Sequence, residues 1–77
     1  MKEQVMAILK EVREDVDFTN VEQKLIDDKI LDSFDIIAIV VEFNDIFGIE
    51  ISPEELMPEN FNNIDAMLEL IKRLLVK

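Results

Sequence analysis

The sequence contains no cysteine and no histidine. Without cysteine, a disulfide framework, a thiolate metal site and a cysteine nucleophile are excluded. Without histidine there is no Ser-His-Asp arrangement, and a serine hydroxyl is a weak nucleophile unless a positioned base activates it. Paired carboxylates could do acid–base work, but a chain of 77 residues offers little room for a cleft that excludes water. We therefore expect no catalytic residues, no metal site and no enzymatic activity.

Glycine, proline and long apolar runs are also scarce. The chain has one glycine and two prolines, while 49% of its residues are hydrophobic, which is enough to fold one core without a metal or disulfide. The longest uninterrupted apolar run, residues 36–41, has six residues, whereas a membrane-spanning helix needs ~20. The first residues are too charged for a signal peptide. We expect one domain over residues 1–77 that is soluble, cytoplasmic, monomeric and not inserted in a membrane.

Positive charge is absent from the middle of the chain. Residues 30–71 hold ten carboxylates and no lysine or arginine, whereas the flanks hold eight acids and eight bases, so the net charge of −10 belongs to the middle. Such a surface repels phosphate backbones and anionic membranes, which argues against nucleic acid as a partner and favours basic proteins. The simpler alternative is that the acidic surface only keeps a small protein soluble.

The apolar spacing predicts helices and no strands. Val5, Ile8, Leu9 and Val12 share one helical face, which predicts a first helix over residues 2–14. Residues 16–31 keep no strict period and predict a long loop held to the core by apolar side chains. Those side chains are Phe18, Val21, Leu25, Ile26 and Ile30.

Capping residues predict three further helices. The second begins with Asp32 or Ser33 as N-cap and ends at Gly48. "SPEE" (residues 52–55) predicts a short third helix that Ser52 caps and that ends at Pro58. Asn63 caps the fourth helix. Its apolar face is formed by Ile64, Met67, Leu68, Ile71, Leu74 and Leu75, with the basic residues Lys72, Arg73 and Lys77 at its C-terminal end. The fold class is all-α, a small four-helix bundle with a long first loop.

The second helix carries two apolar faces. At 100° per residue one broad arc should face the core, and it contains Ile36, Ile39, Val40, Phe43, Ile46 and Phe47. A polar arc contains Asp35, Ala38, Glu42 and Asp45. Viewed down the helix axis, a separate apolar stripe lies between Asn44 on one side and Asp45 on the other, and it contains Phe34, Ile37 and Val41. An exposed apolar stripe rimmed by acids suits a partner with a basic-rimmed groove, although the stripe could instead pack under the long loop.

Ser33 lies at the start of this helix, where unpaired backbone amides and the helix dipole would stabilise a phosphate esterified to its hydroxyl. As a lone dipeptide, Asp-Ser is usually only a cap. The surrounding pattern, however, resembles the acyl carrier protein family. The matching segments are "LDSF" (residues 31–34), "EFNDIFGIEIS" (residues 42–52), a short acidic third helix and "FNNIDAMLELI" (residues 61–71).

The resemblance implies a cofactor, a role and partners. It implies that Ser33 bears 4′-phosphopantetheine, taken from coenzyme A by a phosphopantetheinyl transferase, and that Asp32 assists this transferase and its magnesium. The thiol of the arm would carry a group as a thioester between basic-surfaced acyl-transfer or ligase enzymes. It also implies that the start of the second helix is presented to partners, which makes Phe34, Asp35, Ile37, Ala38, Val41, Glu42, Asn44 and Asp45 candidate partner-binding residues.

Departures from the family pattern leave the cargo open. Ile30 and Lys29 stand where many members have glycine, and Phe34 replaces leucine. Ala38 and Asn44 stand where bacterial fatty-acid carriers have glutamates, and "ILDS" (residues 30–33) is similar to D-alanyl carrier proteins. Family frequency alone favours a fatty-acyl or polyketide cargo, and a D-alanyl or aminoacyl cargo loaded by an adenylating ligase is the alternative. An unmodified acidic helical adaptor and a regulator phosphorylated on Ser33 are the remaining alternatives.

Overall fold

A computed structural model describes residues 1–19 and 23–76, which form four α-helices and no strand. The helices are α1 (Lys2–Val12), α2 (Ser33–Phe47), α3 (Pro58–Phe61) and α4 (Ile64–Leu75), and a single 3-10 turn (Pro53–Glu55) precedes α3. This confirms the predicted all-α bundle with a long first loop. Within the described residues, no helix has the length and apolar character that a membrane crossing requires.

Helix α1 is two residues shorter than predicted. It ends at Val12 because Arg13 is extended (φ −137°), with its backbone N–H donating to the Leu9 carbonyl. Its predicted face is buried through Val5, Ile8 and Leu9, and Val12 is partly buried.

Helix α2 has the predicted bounds. Asp32, rather than Ser33, is the N-cap, and Gly48 ends the helix in the left-handed conformation (φ 63°) with its N–H donating to the Asn44 carbonyl. Ile39 and Phe43 are fully buried, as predicted. The placement of Ile46 in the core arc is wrong, because its side chain is 46% exposed. At 100° per residue Ile46 lies at the margin of the core arc, beside Glu42 of the polar arc.

The predicted third helix is wrong in its position. Residues 53–55 form only the 3-10 turn, and Ser52 makes no side-chain cap hydrogen bond. Pro58 does not end a helix but is the first residue of α3, a position where the missing N–H of proline costs nothing.

Helix α4 begins as predicted, with the Asn63 Oδ1 accepting from the Ala66 N–H at 2.7 Å. Its buried face is rotated relative to the prediction: Leu70, which the prediction left out, is fully buried, and Leu75 is exposed. Lys72 and Arg73 lie in the last turn, as predicted. Lys77 lies outside the described residues.

The long loop is held to the core by apolar side chains, as predicted. Phe18 and Leu25 are buried, Ile26 and Ile30 are partly buried, and Val21 lies outside the described residues. The core as a whole contains Val5, Ile8, Leu9, Val16, Phe18, Leu25, Leu31, Ile39, Phe43, Ile51, Phe61, Met67, Leu70 and Ile71.

Asn62, between α3 and α4, fastens the loop just before α2. Its Oδ1 accepts from the backbone N–H groups of Ile26 and Asp27, both at 3.0 Å, and its carbonyl accepts from the Leu25 N–H at 2.8 Å. The chain then turns through Lys29, which is left-handed (φ 60°). Many members of the family that the sequence resembles have glycine at this position or the next. Glycine adopts a positive φ freely, whereas lysine adopts it at some cost in free energy.

Candidate attachment site and docking face

Ser33 is the first residue of α2, and its side chain is exposed. A capping box surrounds it: the Asp32 Oδ1 accepts from the Asp35 N–H at 2.9 Å, and the Asp35 Oδ2 accepts from the Asp32 N–H at 3.1 Å. Because both cap bonds use carboxylates, the hydroxyl of Ser33 makes no hydrogen bond to any described residue. Ser33 is therefore a free hydroxyl on a firmly capped helix end.

The backbone beside this hydroxyl has unused donors. In the first turn of α2, the N–H groups of Ser33 and Phe34 have no acceptor among the described residues, while the N–H of Asp35 is taken by the cap. Unpaired amides and the positive end of a helix dipole favour an anion at this point. The environment fits a phosphate ester on Ser33.

An apolar groove opens next to Ser33. Its volume is about 300 Å³, and it lies between the start of α2 and the segment leading into α3. Its lining residues are Ile26, Leu31, Asp32, Ser33, Ile36, Ile37, Leu56, Met57, Pro58 and Phe61. Leu56 and Met57 are exposed, and the sequence analysis did not single them out. The sequence does carry a signal for these two residues, because they are adjacent apolar residues in the otherwise polar segment "ELMPEN" (residues 55–60).

The apolar stripe predicted on α2 is exposed. Phe34, Ile37 and Val41 are 82%, 56% and 58% exposed. The alternative, in which the stripe packs under the long loop, is thereby excluded. The stripe begins next to Ser33 and runs along α2, and Ile37 belongs both to the stripe and to the groove.

The predicted partner-binding residues outside the stripe occupy different environments. Ala38 and Asp45 are exposed, and Glu42 is half-buried. The Asn44 Oδ1 accepts from the Ile51 N–H at 3.0 Å and so fastens the segment after α2. The carboxylate of Asp35 is only 14% exposed and is ion-paired with Arg13 at 2.8 Å. Of the three carboxylates on α2, the structure thus leaves Asp45 exposed and Glu42 half-buried, while that of Asp35 is ion-paired.

Arg13 contacts the chain on both sides of Ser33. Its guanidinium binds Asp35, the Ile30 carbonyl at 3.1 Å and the carboxylate of Asp15 at 3.0 Å. The hydrogen bonds with Asp15 and Asp35 raise the pKa of Arg13, and the hydrogen bond from Arg13 lowers the pKa of Asp15. Sequence reasoning did not find this cluster, because Arg13 and Asp35 are far apart in the chain.

Comparison with known proteins agrees with the geometry of the site. Residues 3–71 match the family described as "Phosphopantetheine attachment site". D-alanyl carrier proteins of Bacillus cereus and Bacillus anthracis are each 44% identical to this chain over 52 residues, which is 66% of this chain and 66% of the relative. The chain therefore belongs to the phosphopantetheine-binding carrier proteins, a family that is not catalytic and that bears the group covalently. The similarity spans just under two thirds of the curated relatives' length.

Proposed function

We propose that Ser33 is the residue to which 4′-phosphopantetheine is attached. The observation that carries this is the exposed hydroxyl of Ser33, free of hydrogen bonds to described residues, at the first position of α2 beside the unpaired N–H groups of Ser33 and Phe34. Asp32, whose exposed carboxylate neighbours this hydroxyl, assists the phosphopantetheinyl transferase and its magnesium. When bound, the group supplies the thiol on which a thioester is carried, a chemistry that this cysteine-free chain lacks.

We propose that the transferase and the loading enzyme dock on the apolar stripe and the acids beside it. An exposed apolar patch with a charged rim is typical of a protein-binding surface. The stripe begins at Phe34, next to the proposed attachment point, and the exposed Asp45 and the half-buried Glu42 lie on the same helix. Because residues 30–71 hold no lysine or arginine, the partner surface should be basic.

The cargo we propose is an amino acid, D-alanine, loaded by an adenylating ligase. The D-alanyl carrier proteins among the relatives support this, as does the absence of a carboxylate at Ala38 and Asn44. A fatty-acyl or polyketide cargo is the second candidate, and the apolar groove of about 300 Å³ beside Ser33 favours it. The two candidates predict different loading enzymes.

The attachment is tested by intact mass. The protein is incubated with coenzyme A and a broad-specificity phosphopantetheinyl transferase, and we expect one phosphopantetheinyl group on the wild type and none on Ser33→Ala, whose helix content should be unchanged. Modification of Ser33→Ala would place the attachment at another residue and contradict the proposal. No modification of the wild type would also contradict it and would favour an unmodified adaptor.

The cargo is tested on the modified protein. With ATP, D-alanine and a D-alanine-activating ligase we expect the mass of one alanyl group, removable by hydroxylamine as a thioester should be. In a parallel reaction, malonyl-coenzyme A and a malonyl transferase should add nothing. Loading only in the malonyl reaction would overturn the aminoacyl cargo and leave the attachment site intact.

A further inference from the structure

We infer that Arg13 is a positioning residue for modification at Ser33, an inference that rests on the proposed attachment site. Arg13 directly follows α1, yet its Nη1 reaches both sides of Ser33 in the chain. It donates to the carbonyl of Ile30, three residues before Ser33, at 3.1 Å, and to the Oδ2 of Asp35, two residues after it, at 2.8 Å. We call these two contacts the Arg13 clamp.

The Arg13 clamp is joined to the capping box through one atom. The Asp35 Oδ2 that accepts from Arg13 also accepts from the backbone N–H of Asp32. Arg13 therefore holds the side chain of Asp35 in the orientation in which it closes the cap. Without Arg13, the first turn of α2 would keep the bond from the Asp35 N–H to Asp32 but lose the restraint on the reciprocal bond.

The fork of the guanidinium makes Arg13 hard to replace. Its Nη1 satisfies a carbonyl and a carboxylate while its Nε and Nη2 bind the two oxygens of Asp15, both at 3.0 Å. A lysine ammonium is a compact charge that cannot occupy all these positions at once. Asp15 orients the guanidinium through these two hydrogen bonds, and Asp35 transmits its position to the cap.

The clamp should act on the reaction rather than on docking. The charge of Arg13 is already compensated by Asp15 and Asp35, and its side chain is only 30% exposed. A partner with a basic surface gains nothing from it. A reacting hydroxyl on a loosened helix end, however, is misplaced in the transferase, and a misplacement of about 1 Å can reduce a rate by up to ~10²-fold.

The experiment compares the steady-state kinetics of phosphopantetheine transfer for Arg13→Ala, Arg13→Lys and the wild type, followed by intact mass. We expect kcat for Arg13→Ala to fall about tenfold while KM changes less than about twofold, the pattern of an interaction needed in the transition state. Arg13→Lys should lie between the two. The matched control is Arg73→Ala, which removes the same charge from an ion pair with Glu55 and should leave kcat unchanged.

Two further measurements separate positioning from a general loss of stability. In Arg13→Ala the backbone amide of Asp32, which donates to the Asp35 Oδ2, should exchange with solvent faster, while those of the buried Ile39 and Phe43 should not. If Arg13 acts through Asp35, then Arg13→Ala combined with Asp35→Ala should be no slower than Asp35→Ala alone.

The outcomes are distinguishable. If the wild type is not modified on Ser33, the proposed function and this inference both fail. If the wild type is modified and Arg13→Ala is modified with an unchanged kcat, the inference alone is overturned. The same holds if the double variant shows the product of the two single losses. Should Arg13→Ala unfold, Arg13→Lys decides by the same kinetic and exchange measurements, because it keeps the charge and the aliphatic stem.

Discussion

Replacing Ile37 by aspartate separates docking from folding. Ile37 is in the middle of the apolar stripe and is 56% exposed, so a little under half of it is shielded by the protein. Full burial of an isoleucine is worth ~1.5–3 kcal/mol, so Ile37→Asp should lower the unfolding free energy by about 1 kcal/mol. For a domain of this size this corresponds to a melting temperature lower by about 4–8 °C. The fold should therefore survive.

The effect of Ile37→Asp on phosphopantetheine transfer should be larger than its effect on stability. A charge placed in the centre of a docking patch typically costs at least ~1–2 kcal/mol of binding, and ~1.4 kcal/mol is a factor of ten. We expect kcat/KM for phosphopantetheine transfer to fall about tenfold through a higher KM. This is the opposite division from that expected for Arg13→Ala, because in our proposals Ile37 contacts the partner whereas Arg13 orients the reacting hydroxyl.

A matched control exists on the same helix. Ile46 is 46% exposed, and it lies half a helical revolution round and about 14 Å along the axis of α2 from Ile37. Ile46→Asp should lose similar stability and load normally. A second control, Ile39→Asp, places a charge at a fully buried position and should not fold.

Two results would refute the reasoning. If Ile37→Asp melts as low as Ile39→Asp, then Ile37 contributes to the core far more than its exposure allows. If Ile37→Asp and Ile46→Asp load equally well, the stripe is not the docking face. In that case the partner surface must be sought among the acids.

Four further perturbations test the remaining features. Gly48→Ala should lower the unfolding free energy by about 1 kcal/mol, because φ is 63° there although space for a Cβ is free. Lys29→Gly, at φ 60°, should not lower it. Chemical denaturation measures both variants, and a loss of stability at both positions would contradict the backbone argument. Asn62→Leu removes the acceptor of two loop amides and should cost about 1–2 kcal/mol by the same assay; no change would mean that the loop holds itself. The melting temperature should rise with sodium chloride, and more efficiently with magnesium, because residues 30–71 hold ten carboxylates and no base; a flat response would show that these acids do not repel. In Arg13→Ala the lowered pKa of Asp15 should rise towards its ordinary value, which an NMR titration measures. A carboxylate whose pKa is lower in the folded than in the unfolded state stabilises the fold above pH ~3.9, and this stabilisation is lost as the pH falls. The difference in unfolding free energy between wild type and Arg13→Ala should therefore shrink below about pH 4.

Features set by neighbouring residues could be predicted from the sequence. Helix α2 begins and ends where the sequence indicates, because an aspartate cap and a left-handed glycine act over one turn. The cap at Asn63 follows from the same local rules, and helical periodicity places Phe34, Ile37 and Val41 on one face, whereas their exposure was one of two alternatives that the sequence left open.

Features set by distant residues could not be predicted. Proline both ends helices and begins them, so Pro58 alone does not decide which side the helix lies on. Leu70 and Leu75 differ in burial because the packing of α4 against the other helices sets the rotation of its apolar face. The pairing of Arg13 with Asp35 joins residues far apart in the chain and has no local signal.

The cap at the start of α2 is formed by Asp32 and Asp35 and not by Ser33, and this affects how the protein is degraded in a cell before and after phosphopantetheine is attached. Asp32 and Asp35 close the helix end, so the fold does not depend on the side chain of Ser33. If that hydroxyl is esterified as we propose, no hydrogen bond among the described residues is lost, and the phosphate would lie beside the two unpaired amides of Ser33 and Phe34. A protease that cuts the chain through its unfolded form should therefore degrade the loaded protein no faster than the unloaded one. Proteolytic turnover would then not remove the modified protein in preference to the unmodified one.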